Sequence, residues 1–355
     1  MTDRKIVHVV GTGTIGEPLI GLLVNMKEAL GIEEVTFHKR TPLLTDRSKV
    51  KQLTRRGAKL AVDHDAVDGF KEIGLEPQFE SSEALERASV VIDCTPVGNQ
   101  NKVEIYDNYK KNTLGFIAQG SEFGFGKPYA RGINDSVLIR GEDRFIQVVS
   151  CNTHNIAVLL KTIAGVNGGS GMLESARFVC MRRASDISQS GSFVAGPEVG
   201  KHDDPIYGTH HARDAVHLFR TLGHNLDLFS SAMKLNTQYM HAIHFAIQLN
   251  RPTNVEEVIR RLRDERRVSV TDKKSSAQVF SFGRDHGIYG RILNQTVVSL
   301  PTLAVRKDKE VFGFCFTPQD GNSLLSSISI AMWAMHETGW DERMRYLREY
   351  CFSEI

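Results

Sequence analysis

The chain has 355 residues, 41% of them hydrophobic and 24% charged, with 44 basic against 42 acidic side chains and a formal net charge of +2. This length suits two domains better than one core, and the balanced charge speaks against a polyanion-binding surface, hence against nucleic acid as a partner. Without a run of about 18 apolar residues no membrane-spanning helix is expected, and five scattered cysteines with no CxxC pair point away from a disulfide framework or a thiolate metal site.

In chain order, "KIVHVVGTG" is a strand entering a glycine turn and "TIGEPLIGLLVNMKEAL" has helical spacing. "VTFHKR" is a second strand, "ALERASVVIDCTP" a helix leading into a third, and "LGFIAQG" and "RFIQVVS" are two more. Such alternation predicts an α/β, Rossmann-type doubly wound parallel sheet. The second half reads differently. "LESARFVCMRR", "HNLDLFSSAMKL", "QYMHAIHFAIQL", "TVVSLPTLAVR" and "EVFGFCFT" are long strand candidates, with helices such as "NVEEVIRRLRDERR" between some of them. They predict an α+β domain whose mostly antiparallel sheet is covered on one face. Residues 184–206, rich in Ser, Gly, Asp and Pro, form a long loop, and "GNSLLSSISIAMWAM" an apolar helix needing a partner surface. The start, "MTDRKIVHVVG", lacks the apolar core of a signal peptide, so the expected location is the cytoplasm.

"GTGTIG" matches the dinucleotide fingerprint and stands between a predicted strand and a predicted helix. Gly11 permits the tight turn, Gly13 lets the backbone approach a pyrophosphate, and Gly16 allows close helix–strand packing. The amides of Thr14 and Ile15 then lie at a helix N-terminus, where an anion is favoured. At the end of the second strand, "FHKRTP" holds Lys39, Arg40 and Thr41, with no carboxylate until Asp46. Two cations and a hydroxyl suit a 2′-phosphate, so NADP is expected in preference to NAD; a solvated basic turn is the plainer alternative.

Cys151 in "VVSCNTHN" closes an apolar run just before the helix-like "NTHNIAVLLKTIAG". The positive end of a helix favours thiolate there. Its flanks, Ser150 and Asn152, are polar candidates for oxyanion donors, whereas Cys94, Cys180 and Cys315 sit in apolar strand runs as core residues. A nucleophilic thiol needs a proton acceptor. "TQYMHAIH" places His241 in a strand, with His244 on the opposite face; taken alone, His241 also fits a structural role.

Along nearly the whole chain this constellation resembles the archaeal-type glyceraldehyde-3-phosphate dehydrogenases. "GTGTIG", "HKRTP", "DCTPVGNQNK", "FIAQGSE", "VVSCNT", "CMRRASD", "THHARD", "TQYMHAIH" and "TPQD" follow the order of that family's motifs. The resemblance implies a nucleotide-binding domain over residues 1–150 plus 320–355, a catalytic domain over 151–319, and a homotetramer. It implies that Cys151 attacks an aldehyde and that His241 takes the thiol proton and then assists loss of the hydroxyl proton. Hydride transfer to NADP or NAD would leave a thioester, released by inorganic phosphate as an acyl phosphate. Asn152 and the Cys151 amide would stabilise the oxyanion; Ser150 would border the substrate; Arg183, His210 and His211 would hold its phosphate and the attacking phosphate. Thr95, Gly120, Arg183 and Gln319 would contact the cofactor, and no metal is implied.

The chain departs from that family where "S-C-N-T-T-G" becomes "S-C-N-T-H-N", with His154 and Asn155 beyond the shared part. Release by water, or a different semialdehyde substrate, is therefore an alternative outcome. Two further readings are a catalytically silent nucleotide sensor and a zinc site built from "THHARDAVH" and "HAIH".

Overall fold

The computed structural model describes residues 4–120, 122–166, 171–187, 189, 193–318 and 320–355. It divides into two compact units. The first comprises Met1–Lys127, Leu138–Val148 and Ser326–Tyr346; the second comprises Pro128–Val137, Val149–Leu325 and Leu347–Ile355.

The first sheet uses β1 (Ile6–Val10), β2 (Glu34–His38), β3 (Lys59–Val62), β4 (Phe79–Glu80), β5 (Val90–Asp93), β6 (Gly115–Gln119), β7 (Lys127–Tyr129) and β8 (Phe145–Val148), in the order β4-β3-β2-β1-β5-β6-β8-β7. The pairs from β4 through to β8 are parallel. β1 and β5 are buried along their whole length, which is why they read as continuous apolar runs and not as alternation. From β1 the chain winds outward to β2, then returns to β5 on the other side. That reversal opens a crevice beyond the carboxyl ends of β1 and β5, the usual ligand position in such sheets.

The second sheet uses β9 (Leu173–Arg182), β10 (Glu198–Val199), β11 (Leu228–Lys234), β12 (His241–Leu249), β13 (Val268–Thr271), β14 (Thr296–Arg306) and β15 (Glu310–Thr317), in the order β10-β11-β9-β12-β15-β14-β13. β9 pairs with β11, and β13 with β14, in parallel; the other pairs are antiparallel. Period-2 alternation in β12 buries Ile243, Phe245, Ile247 and Leu249 and leaves the intervening residues half-exposed. Helices Cys151–Ile163, His210–Arg220 and Val255–Asp264 cover that buried face, contributing Ile156, Leu160, Phe219, Val258 and Leu262 to its core. Burying each such side chain stabilises the unit by about 1.5–3 kcal/mol.

Three local expectations change. The loop over residues 184–206 contains the two-residue edge strand β10. β3 and β13, too short to show periodicity, add to their sheets. "THHARD" is the start of a helix, not a loop. Among the described residues no helix is long and apolar enough to cross a membrane.

Candidate active site

In the first unit, Gly11 ends β1 at φ +94°, and a Cβ there would lie 3.2 Å from Thr95 Cγ2. Gly16 starts the helix Gly16–Asn25, and a Cβ on it would meet the Gly11 carbonyl oxygen at 2.0 Å. Only glycine allows that approach. Gly13, by contrast, faces open space. The helix has no side-chain cap at Ile15. An exposed turn ahead of an uncapped helix N-terminus fits a pyrophosphate. Beside it lies a cavity of about 790 Å³ lined by Gly11, Lys39, Arg40, Thr41 and Thr95 among others.

The basic turn does not present two free cations. Lys39 is buried, its Nζ 2.6 Å from Asp46 Oδ2, and Lys49 approaches the same carboxylate at 3.1 Å. Burial alone would raise the Asp46 carboxyl, but the two lysines hold it below the usual range. The local helical turn at Leu44–Asp46 brings this carboxylate back onto Lys39. Arg40 and Thr41 stay exposed. Thr95 donates its backbone N–H and hydroxyl to Asp93 Oδ1 at 2.7 and 2.6 Å. Gly120 follows β6 at φ +72° with open space about its Cα. Gln319 lies outside the described residues.

In the second unit, Cys151 is the first residue of its helix, and Ser150 is the N-cap, its Oγ accepting from the Thr153 N–H at 3.3 Å. The Cys151 carbonyl accepts from Asn322 Nδ2 at 3.0 Å. Strand parity aims His241 at the same layer as Ile243, the layer that holds this helix. The Arg183 backbone N–H donates to His241 Nδ1 at 2.9 Å. Cys151 feels Asp320, Arg183 and Arg182, and His241 feels Arg183 and Arg182, so thiol and imidazole share one charged neighbourhood.

That neighbourhood holds both groups neutral. Burial, then Asp320, push the Cys151 thiol up to about 11, against the pull of Arg183, the Asn152 backbone N–H and Arg182. Desolvation and Arg183 lower His241 to about 3. The thiolate expected from helix position alone is outweighed by enclosure of the sulfur.

The double arginine splits its duties. Arg183 is largely enclosed between Asp186, at 3.0 Å, and Asp320, at 3.3 Å. Asp320 takes a left-handed backbone at φ 56°, a conformation in which aspartate is over-represented. Arg182 is exposed and lines a second cavity, of about 330 Å³, together with Lys201, Thr209, His210, His211 and Arg213. The rings of His210 and His211 lie against each other at a tilt of 31°, their centroids 3.9 Å apart. His211 is buried and both its nitrogens are engaged, by Asn152 at 3.2 Å and Thr209 at 3.0 Å. Desolvation and the neighbouring cations depress both imidazoles, His210 to about 4.

His154 and Asn155 are buried within the Cys151 helix and line neither cavity. His154 Nδ1 lies 3.0 Å from the Ser150 carbonyl oxygen. Sequence reasoning missed Asp186, Asp320, Thr317, Lys201 and Arg213. The one available signal was parity: Arg182 is the last residue of β9 and Arg183 lies just past it. Among the described residues no group of three or more His, Cys, Asp or Glu side chains is arranged to hold a metal ion.

No family model matches the chain. Curated glyceraldehyde-3-phosphate dehydrogenases do. That of Methanococcoides burtonii is 29% identical over 297 residues, covering 81% of this chain and 80% of the relative. That of Methanobrevibacter smithii is 27% identical over 299 residues, 80% of each chain. That of Hyperthermus butylicus is 27% identical over 311 residues, covering 85% and 84%. With a parallel sheet, a mostly antiparallel second sheet and relatives matched over about four-fifths of their length, the chain is similar in both architecture and sequence to these glyceraldehyde-3-phosphate dehydrogenases.

Proposed function

We propose that the chain is a cytoplasmic phosphorylating aldehyde dehydrogenase. It oxidises glyceraldehyde 3-phosphate reversibly to 1,3-bisphosphoglycerate, with NADP preferred over NAD. The observation that supports this reading is that Cys151 and His241 share the charged neighbourhood of Arg183, which is itself paired with Asp186 and Asp320.

In this reading Cys151 adds to the aldehyde carbon, and as the C–S bond forms the thiol proton is transferred to the former carbonyl oxygen, giving the thiohemiacetal hydroxyl. The new oxygen is stabilised by the Asn152 carboxamide, the Cys151 amide and His241, an effect of about 3–4 kcal/mol for one good donor. A bound nicotinamide dinucleotide supplies the hydride acceptor. Collapse of the thiohemiacetal, its hydride going to that acceptor and its hydroxyl proton to solvent, would leave a thioester on Cys151 that keeps the energy of oxidation. A phosphate oxygen attacks that carbonyl, the C–S bond breaks, and the acyl phosphate departs. Arg182, His210, Lys201 and Arg213 border the cavity suited to the phosphate groups. Arg40 selects the 2′-phosphate of NADP. A homotetramer is part of the same reading, with the half-open sheet face around Phe314, 40% exposed, as the surface between copies.

The test is NADPH formation from glyceraldehyde 3-phosphate, with and without inorganic phosphate, beside Cys151→Ser. Phosphate-stimulated turnover that vanishes in the variant supports the reading. Turnover indifferent to phosphate would replace it with thioester hydrolysis. Turnover that survives Cys151→Ser would end it.

A further inference from the structure

A directed line of hydrogen bonds runs beneath the candidate site, from the second sheet to the anion cavity. Cys315 Sγ donates to Asn155 Oδ1 at 3.3 Å, and Asn155 Nδ2 donates to Thr317 Oγ1 at 3.0 Å. The Thr317 hydroxyl donates to Asn152 Oδ1, also at 3.0 Å. Asn152 must then turn its amide nitrogen toward His211 Nε2, 3.2 Å away. A nitrogen that accepts carries no proton, so neutral His211 holds its proton on Nδ1 and gives it to Thr209 Oγ1 at 3.0 Å. Thr209 in turn meets Ser230 Oγ at 2.6 Å. Asn152, Asn155, Thr209, His211, Ser230 and Thr317 are all buried, so water cannot substitute for a missing partner without cost.

We infer that Asn155 and Thr317 are positioning residues. They hold the Asn152 carboxamide in one of its two orientations and, through it, lock His211 as the Nδ1–H tautomer. His211 is then a strut with no free ring nitrogen, and His210 with Arg182 meets the anion. Asn155 supplies the donor that meets Thr317. The catalytic part rests on the proposed dehydrogenase reading; the tautomer does not.

The test compares Thr317→Val, which removes the donor to Asn152 while keeping the shape, with Thr317→Ser, which restores it. Two readouts are taken. One is kcat and KM for phosphate-stimulated aldehyde oxidation; the other is the ¹⁵N resonance pattern of the His211 ring in ¹⁵N-histidine-labelled protein. In the unaltered protein His211 should show a protonated Nδ1 and a bare, accepting Nε2. Thr317→Val should scramble that pattern and lower kcat by about tenfold or more, short of the 10²–10³ lost with a whole oxyanion donor, with KM within about threefold. Thr317→Ser should restore both. A proton on Nε2 in the unaltered protein overturns the inference, as does a Thr317→Val protein with native tautomer and kcat. If Thr317→Val does not fold, Asn155→Gly removes the link one step earlier and the same outcomes apply. Absence of aldehyde oxidation in the unaltered protein would remove the dehydrogenase reading and leave the tautomer result to decide this one.

Discussion

The backbone N–H of Arg183 donates to Nδ1 of His241 at 2.9 Å. Because that nitrogen accepts, the neutral ring carries its proton on Nε2, and the nitrogen left for the reaction is a donor. His241, lowered to about 3 by burial and Arg183, is neutral at pH 7. This favours a hydrogen-bonding role toward the developing oxyanion over removal of the thiol proton. Replacing His241 with Ala should cut kcat by about 10²–10³. Gln, whose amide N–H mimics Nε2–H, should recover about tenfold of that loss. Equal damage from both substitutions would restore the base.

Cys151 should be a sluggish nucleophile in the free protein. With the thiol raised to about 11, the neutral form dominates at pH 7, and iodoacetamide labelling should climb about tenfold per pH unit between 7 and 10. Asp320→Asn removes the nearby negative charge that raises the thiol, so labelling at pH 7.5 should accelerate several-fold. Mass spectrometry of the Cys151 peptide reads both. A plateau below pH 8 in the unaltered protein contradicts the argument.

The neighbouring arginines should fail in different ways. Arg183→Met leaves two buried carboxylates facing each other, and loss of a buried pair's partner costs about 3–5 kcal/mol. Arg182→Ala, on an exposed side chain, should change stability by less than about 0.5 kcal/mol while raising KM for the phosphorylated aldehyde. Urea unfolding and steady-state kinetics separate the two; identical profiles would refute the division of labour.

Cofactor choice should rest on one cation. Arg40→Ala should weaken NADP by about tenfold or more, the worth of a charge-assisted hydrogen bond, and leave NAD unchanged. Lys39→Met should instead destabilise the first unit, since Asp46 loses its 2.6 Å partner. NADP binding that drops only with Lys39 would reverse this assignment.

Buried neutral histidines make the fold sensitive to mild acid. His8 is lowered to about 3 by burial and His38, and His154 to about 4 by burial. The unfolded chain binds their protons below about pH 6.5, while the folded protein does not. Stability is therefore complete above that pH and falls as the pH drops toward 4, by up to about 1.4 kcal/mol per unit for each such group. Melting should weaken between pH 7 and 5, and His8→Gln should flatten the slope. A pH-independent Tm over that range would count against burial of the neutral rings.

Much of the architecture was open to reading along the chain. β1 with its glycine turn, β12 with its alternation and the amphipathic helix Val255–Asp264 announce themselves because apolar periodicity is a local property of neighbouring residues. β3 and β13, four residues each, carry too few positions to show a period. Cys151 could be singled out by its place between an apolar run and a helix, and His241 by its strand.

What remained hidden depends on which distant groups meet. The sequence by itself determined the two sheet types, the glycine turn and the position of the thiol at a helix start. Tertiary structure alone decided that Lys39 is neutralised by Asp46, that Arg183 and not Arg182 is consumed by carboxylates, and where His211 and His241 carry their protons. Strand parity and helix spacing are written in adjacent residues. Charge compensation and proton placement are set by desolvation and by partners that can lie more than a hundred positions away, as Asp320 does from Arg183.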